Sequence, residues 1–157
     1  MSLTATTASH WAAPLIGKPW ASGAEGPEAF DCRGLVRQVL RSQRGIEALP
    51  LAPELMTSAE AIVGCARAQG WRPVGRGLQS QYAEWDVVMM RGAQGPHVGV
   101  MIRADGRLML LHAVGALDAQ GQPHGEVVCQ RLDQAQALGF GRFEFWRKDD
   151  AGESQCS

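Results

Sequence analysis

The chain carries almost no net charge: 15 Lys and Arg oppose 16 Asp and Glu, leaving −1 at neutral pH. Without an overall basic field, binding to nucleic acid or anionic lipid is not expected. Cysteines are few and scattered. Cys32, Cys65, Cys129 and Cys156 form no CxxC pair and share no close spacing, which weighs against a thiolate zinc site and against a disulfide framework. No apolar run approaches the length of a membrane-spanning helix, so membrane insertion is not expected. No Lys or Arg precedes Lys18 and no apolar stretch follows the start. Both features of a secretory signal are therefore missing, and synthesis in a reducing cytoplasm with exit by another route is expected. Internal repeats, linker-like stretches and a second domain are absent as well. What remains is 157 residues with 45% hydrophobic and 20% charged content, enough for one soluble domain with a real core.

Residues 1–8 are small and polar, and the tail 148–157 is polar; both are expected to be flexible, with Cys156 incidental. The folded domain is expected over 9–147. Ser9 can cap a short helix over His10 to Leu15, limited by Pro14. Residues 17–29 are rich in glycine and proline and read as a loop. Trp20 within it serves either as a core plug or as one wall of a cleft. A helix is predicted from Cys32 to Arg44 with Gly45 as its stop. A second begins at Thr57 or Ser58 and ends at Gly70; Cys65 falls on its apolar side and reads as structural. Residues 71–84 read as irregular, because Pro73, Gly75 and Gly77 interrupt any pattern.

From Trp85 the hydrophobic period becomes two. Strands are predicted over 85–91, 97–103, 107–114, 126–132 and 140–147. Helices first and strands second give an α+β fold, with N-terminal helices packed on a C-terminal antiparallel sheet.

Chemistry enters at Phe30-Asp31-Cys32-Arg33-Gly34-Leu35-Val36. Asp31 is placed as an N-cap, which puts Cys32 in the first helical turn. There the unpaired N–H groups and the helix dipole favour a thiolate. Gly34 has no side chain, so another element can approach this turn. From this segment alone, a small buried cysteine is the simpler reading; the histidines change the balance. Asp105-Gly106 is a two-residue hairpin signal. With that turn, Ala104 faces Arg107, Met101 faces Leu110, Gly99 faces His112 and His97 faces Val114. His97 and His112 then share one face, diagonally related at roughly 7–8 Å between backbones, and Gly99 leaves room for two rings to lean together. A thiol, a base and a group that fixes the base's tautomer are what nucleophilic cysteine catalysis needs. His10, near the start, and His124, in a Gly/Pro-rich loop, read as surface residues. A metal reading of His97 and His112 lacks a third ligand, and no cofactor is called for.

In order and spacing, these pieces resemble the NlpC/P60 cysteine peptidases, a circularly permuted branch of the papain-like fold. The resemblance runs over residues 10–147: Gly17-Lys18-Pro19-Trp20, the Cys32 segment, Asp86-Val87-Val88-Met89, His97-Val98-Gly99-Val100 and Leu111-His112-Ala113. It implies Cys32 as nucleophile, His97 as general base and acid, and His112 as the orienting third residue. It also implies that the Cys32 backbone N–H contributes to an oxyanion hole. Members usually cut peptidoglycan stem peptides between D-γ-glutamate and a diamino acid such as meso-diaminopimelate. Trp20, Asp31 and Arg33 become candidate substrate-binding residues. The run His97 to Met101, then Leu110 to Val114, and the ending through Phe143, Trp146 and Arg147 are similar to the phage-tail branch of that family. That branch implies a protein made in the bacterial cytoplasm, carried on a virion beside tail-tip proteins, and acting on the wall in the periplasm. Three positions depart from the family pattern: Arg33 stands where Ser or Trp is usual, Trp85 where glycine is, and Trp20 where Tyr is common. Two other classes stay open. One is another enzyme on the same fold, such as an antibacterial amidase effector, a CHAP-type amidase or a thiol acyltransferase. The other is a catalytically silent structural component of a tail.

Overall fold

The structure, a computed structural model, describes residues 10–46 and 70–149. Eight elements follow one another: α1 (Cys32–Arg44), β1 (Trp71–Arg76), β2 (Val87–Gly92), β3 (Gly95–Ala104), β4 (Arg107–Leu117), β5 (Pro123–Gln130), α2 (Leu132–Ala137) and β6 (Gly141–Lys148). The six strands make one antiparallel sheet in the order β1-β6-β2-β3-β4-β5. The fold is α+β, as its sequence pattern predicts.

Alternation along the strands divides the core in two. On one face, Leu35, Val36, Val39 and Leu40 of α1 pack with Val87, Val98, Val100, Ile102, Leu111 and Ala113. On the other, Leu132 and Ala135 of α2 pack with Val88, Met90, Met101, Leu110 and Phe145. The apolar residues of α1 recur at helical spacing, so one whole side of the helix is buried. Its ends are where the sequence puts them. Asp31 caps the start by accepting the Gly34 N–H, and Gly45 closes it in a left-handed conformation (φ 62°). The β3–β4 hairpin also follows its sequence. Asp105 and Gly106 both have positive φ (56° and 75°), the mirror-image turn that matches strand twist. Ala104 pairs with Arg107 and Met101 with Leu110.

Other expectations fail for physical reasons. Residues 10–15 form a run of turns rather than a helix, bonded Ala13 N–H to His10 O and Leu15 N–H to Ala12 O; Pro14 has no N–H with which to continue a ladder. Residues 71–76 are a strand where irregular chain was expected. β1 lies at the sheet edge, where a proline costs no ladder bond, and a bulge between Pro73 and Gly75 absorbs the irregularity. β4 and β5 extend to Leu117 and back from Pro123, so His124 is a strand residue, exposed and paired with Ala116. Leu132 opens α2 instead of ending a strand. β6 runs one residue past the expected boundary, with Lys148 paired to Trp71. Among the described residues, one N-terminal helix rather than several packs on the sheet. The helix expected between Thr57 and Gly70, with Cys65, lies outside the described residues, as do the two termini and Cys156. The loop before α1 seals the free edge of β5: Gly17 and Trp20 donate to Val127 and Gly125 carbonyls, and Val127 donates to Lys18 O.

Two struts hold the entry to β2. Asp86 has no exposed surface. It accepts from Nε and Nη2 of Arg147 at 2.7 and 2.9 Å and from the Ala83 N–H at 2.8 Å. Beside it, Trp85 sits at φ 76°, a backbone region costing a bulky residue about 1–2 kcal/mol. Its ring stacks on Trp11 at 5.6 Å and lies under the Arg44 guanidinium at 5.7 Å. Each such contact contributes roughly 0.5–1.5 kcal/mol, enough together to offset the strain. Arg147→Ala leaves the Asp86 carboxylate buried with one N–H partner. A loss of about 3 kcal/mol is expected in urea unfolding; a loss below about 0.5 kcal/mol, the level of an ordinary surface substitution, would show that the pair is not a strut.

Candidate active site

Asp31 joins the loop to the helix that bears Cys32. Oδ1 accepts the Gly34 N–H at 2.7 Å and Oδ2 accepts the Gly23 N–H at 2.8 Å. The Arg33 guanidinium lies 3.7 Å from Oδ2, and Asp31 as a residue is buried. A Cβ on Gly34 would stand 2.1 Å from the Ala24 carbonyl oxygen. The loop backbone therefore lies directly on the first turn of α1, the close approach that a glycine there permits. Asp31 is occupied as cap and loop anchor, which leaves its oxygens engaged before any substrate ammonium arrives.

The ladder between β3 and β4 ends at Val100 and Leu111. Two residues earlier on β3, the Val98 backbone hydrogen-bonds the Cys32 sulfur. The thiol thus lies against the residue that follows His97. Its pKa is raised, contrary to the depressed value expected at a helix start. Burial in this packed spot dominates and Asp31 adds to it; the Val98 bond and Arg33 pull the other way without prevailing. A dipole at a helix end is worth about 1 kcal/mol when exposed, less than the desolvation of a buried thiolate.

His97 Nε2 and His112 Nδ1 are 2.9 Å apart. The pair shares one face, as the hairpin register requires, and Gly99 makes the room: a Cβ there would meet His112 Cβ at 3.0 Å and Leu110 Cδ1 at 2.7 Å. His112 has no exposed surface, and its Nε2 lies 2.7 Å from Gln130 Oε1. Phe140 stacks on His97 at 4.6 Å and meets His112 edge-on at 5.4 Å. Burial pushes both imidazoles down, His97 to about 3 with His112 adding to the effect, and His112 to about 4 despite the raising influence of Gln130. Both rings are therefore neutral at neutral pH. His97 borders a cleft of about 350 Å³ lined also by Pro96, Val114, Ala116, Leu138 and Phe140.

His97 and His112 are thus held together on β3 and β4, and Cys32 at the start of α1 bonds the backbone of Val98, the residue after His97. Trp20 lies half-buried flat on Gly115 of β4, where a Cβ would come within 2.3 Å of its ring, and acts first as a packing plate. His10 is not a free surface group: Nε2 bonds the Arg103 carbonyl at 2.8 Å and Nδ1 accepts the Ala12 N–H at 3.0 Å. Among the described residues, no three His, Cys, Asp or Glu are grouped to hold a metal ion. Gln130 and Phe140 were not foreseen. Gln130 pairs with Leu110, two residues from His112 across the β4–β5 ladder, but the loop before β5 has no turn signal that fixes this register in the sequence.

The raised thiol pKa has a direct readout. Because the thiolate is the nucleophile, alkylation of Cys32 by iodoacetamide at pH 7 should be slower than that of an ordinary free thiol and should accelerate steadily as pH rises through 9. Cys129, pushed up to about 11 by burial, should likewise react more slowly than a free thiol at pH 7. Peptide mapping that finds Cys32 labelled faster than a free cysteine at pH 7 would show that its thiolate is populated at rest.

A comparison with curated proteins returned no match. A profile of the NlpC/P60 family, whose members are generally cysteine peptidases and amidases acting on peptidoglycan, matches residues 17–134. That span carries Cys32, His97, His112 and Gln130, and extends over well more than half of the chain: the chain belongs to the NlpC/P60 family.

Proposed function

We propose that the chain hydrolyses the D-γ-glutamyl–diaminopimelate amide of peptidoglycan stem peptides, with Cys32 as nucleophile, His97 as general base and acid, and His112 as the residue that orients His97. The observation that carries this reading is the 2.9 Å contact between His97 Nε2 and His112 Nδ1. It uses one nitrogen of His97 and leaves Nδ1 for the thiol, which already bonds the next residue of the same strand.

In this reaction His97 Nδ1 takes the thiol proton as Sγ attacks the scissile carbonyl. A neutral thiol beside a neutral imidazole needs no separated charge at rest; charge develops as the bond forms. The Cys32 backbone N–H, at the start of α1 where no earlier carbonyl claims it, faces the developing oxyanion. His97, now an imidazolium, returns its proton to the leaving amine, and the C–N bond breaks to give a thioester. Water then attacks that thioester with His97 again as base. Sγ leaves, recovers its proton, and the product is a carboxylic acid. Arg33 beside the nucleophile suits a carboxylate of the stem peptide. Trp20 and the cleft beside His97 receive the rest. Delivery by a phage tail is part of the proposal, on the likeness of the motif order to that branch.

His97→Ala is expected to remove hydrolysis of purified sacculi almost completely, while His112→Asn keeps more activity than His112→Ala because an amide supplies part of the orienting bond. Mass analysis of the sacculus products should show cuts after D-glutamate. Cuts at the sugar–L-alanine amide would make the protein an amidase, and full activity in all three variants would remove the histidines from the mechanism.

A further inference from the structure

Resting on the proposed Cys–His–His chemistry, we infer that Gln130 is a positioning residue whose amide oxygen sets the tautomers of both histidines and so aims a lone pair at the Cys32 thiol. The argument is a chain of donors and acceptors. Gln130 Oε1 can only accept. At 2.7 Å from His112 Nε2, it requires that nitrogen to carry the proton. A neutral His112 then has a bare Nδ1, which can only accept. At 2.9 Å from His97 Nε2, it requires that nitrogen to carry the proton in turn. A neutral His97 is left with a bare Nδ1, the form a base needs. With the amide turned round, its NH₂ would donate to His112 Nε2 and both tautomers would reverse. His97 would then present an N–H to the thiol and could take no proton.

The environment makes this relay necessary. Both rings are buried and neutral, so neither is held by charge. The groups facing them are each other from β3 and β4, Gln130 from β5, and the Phe140 ring ahead of β6; Cys32 at the start of α1 bonds the backbone of Val98, the residue after His97. No carboxylate hydrogen-bonds either ring among the described residues. An acceptor without charge fixes the proton positions and leaves the rings neutral. A carboxylate in its place would also fix them, but would raise the proton affinity of the whole site. Gln130 touches neither the thiol nor the scissile bond, so its effect is exerted through His112.

The test separates this inference from the assignment of substrate, because its first arm needs no substrate. Long-range ¹H–¹⁵N spectra of the resting protein at pH 7 should show His97 and His112 both protonated at Nε2. A proton on Nδ1 of His112 overturns the inference whether or not the protein cuts peptidoglycan. In Gln130→Leu, which keeps the volume and removes the acceptor, the His112 spectrum should become a mixture of tautomers. With a stem-peptide substrate, kcat should fall by roughly 10–100-fold with KM little changed, the size of loss seen when the outer partner of a functional histidine is removed. Gln130→Glu should restore the Nε2–H tautomers and move both limbs of the pH profile of kcat/KM to higher pH. Unchanged tautomers and kcat in Gln130→Leu, or a Gln130→Glu profile that stays in place, would reduce Gln130 to a packing residue.

Discussion

Past Val100 and Leu111 the β3–β4 ladder is no longer closed, and the Val98 backbone bonds the Cys32 sulfur. The rest of the site depends on that substitution of a thiol for a strand. It brings the end of a helix packed on one face of the sheet against the backbone of the strand that carries His97. To reach this point, α1 must be fixed at its first turn. Asp31 provides this by capping the helix and holding the Gly23 N–H of the incoming loop, and Gly34 lets that loop lie directly on the helix. Apolar packing of Leu35, Val36, Val39 and Leu40 against β3 and β4 supplies the free energy that keeps the helix there.

The electrostatics of the site are those of a dry place. Desolvation raises the thiol and lowers both imidazoles, and it outweighs every local charge in doing so. A thiolate–imidazolium pair is therefore not stored in advance. In the inferred relay the site stores orientation instead: proton positions set along the hydrogen bonds from the Gln130 amide on β5 through the His112 and His97 rings. Orientation costs nothing at the moment of reaction when it has been built into the fold.

The departures from the family pattern make physical sense once the backbone is seen. Glycine is usual before Asp86, and the backbone there has positive φ, which glycine adopts freely. Trp85 takes the same conformation because Trp11 and Arg44 hold its ring. Arg33, which stands where Ser or Trp is usual, lies near the Asp31 carboxylate and lowers the Cys32 pKa without reversing the effect of burial.

Local rules in the sequence determined α1 with both of its caps, the Asp105-Gly106 hairpin, and hence the common face of His97 and His112. Each depends on residues close together in the chain whose conformational preferences agree. Five of the six strands were legible from alternation; β1 was not, because an edge strand tolerates the proline and glycines that read as loop. The short helix expected at His10 failed because six residues around a proline gain too little to nucleate one. Gln130 and Phe140 were invisible because their places depend on the β4–β5 register and on how α2 returns the chain to β6, neither of which has a short-range signal. The sign of the Cys32 shift was likewise beyond the sequence. A helix start can be read from neighbouring residues, but the removal of water around it is decided only when the sheet, the loop and the helix close together.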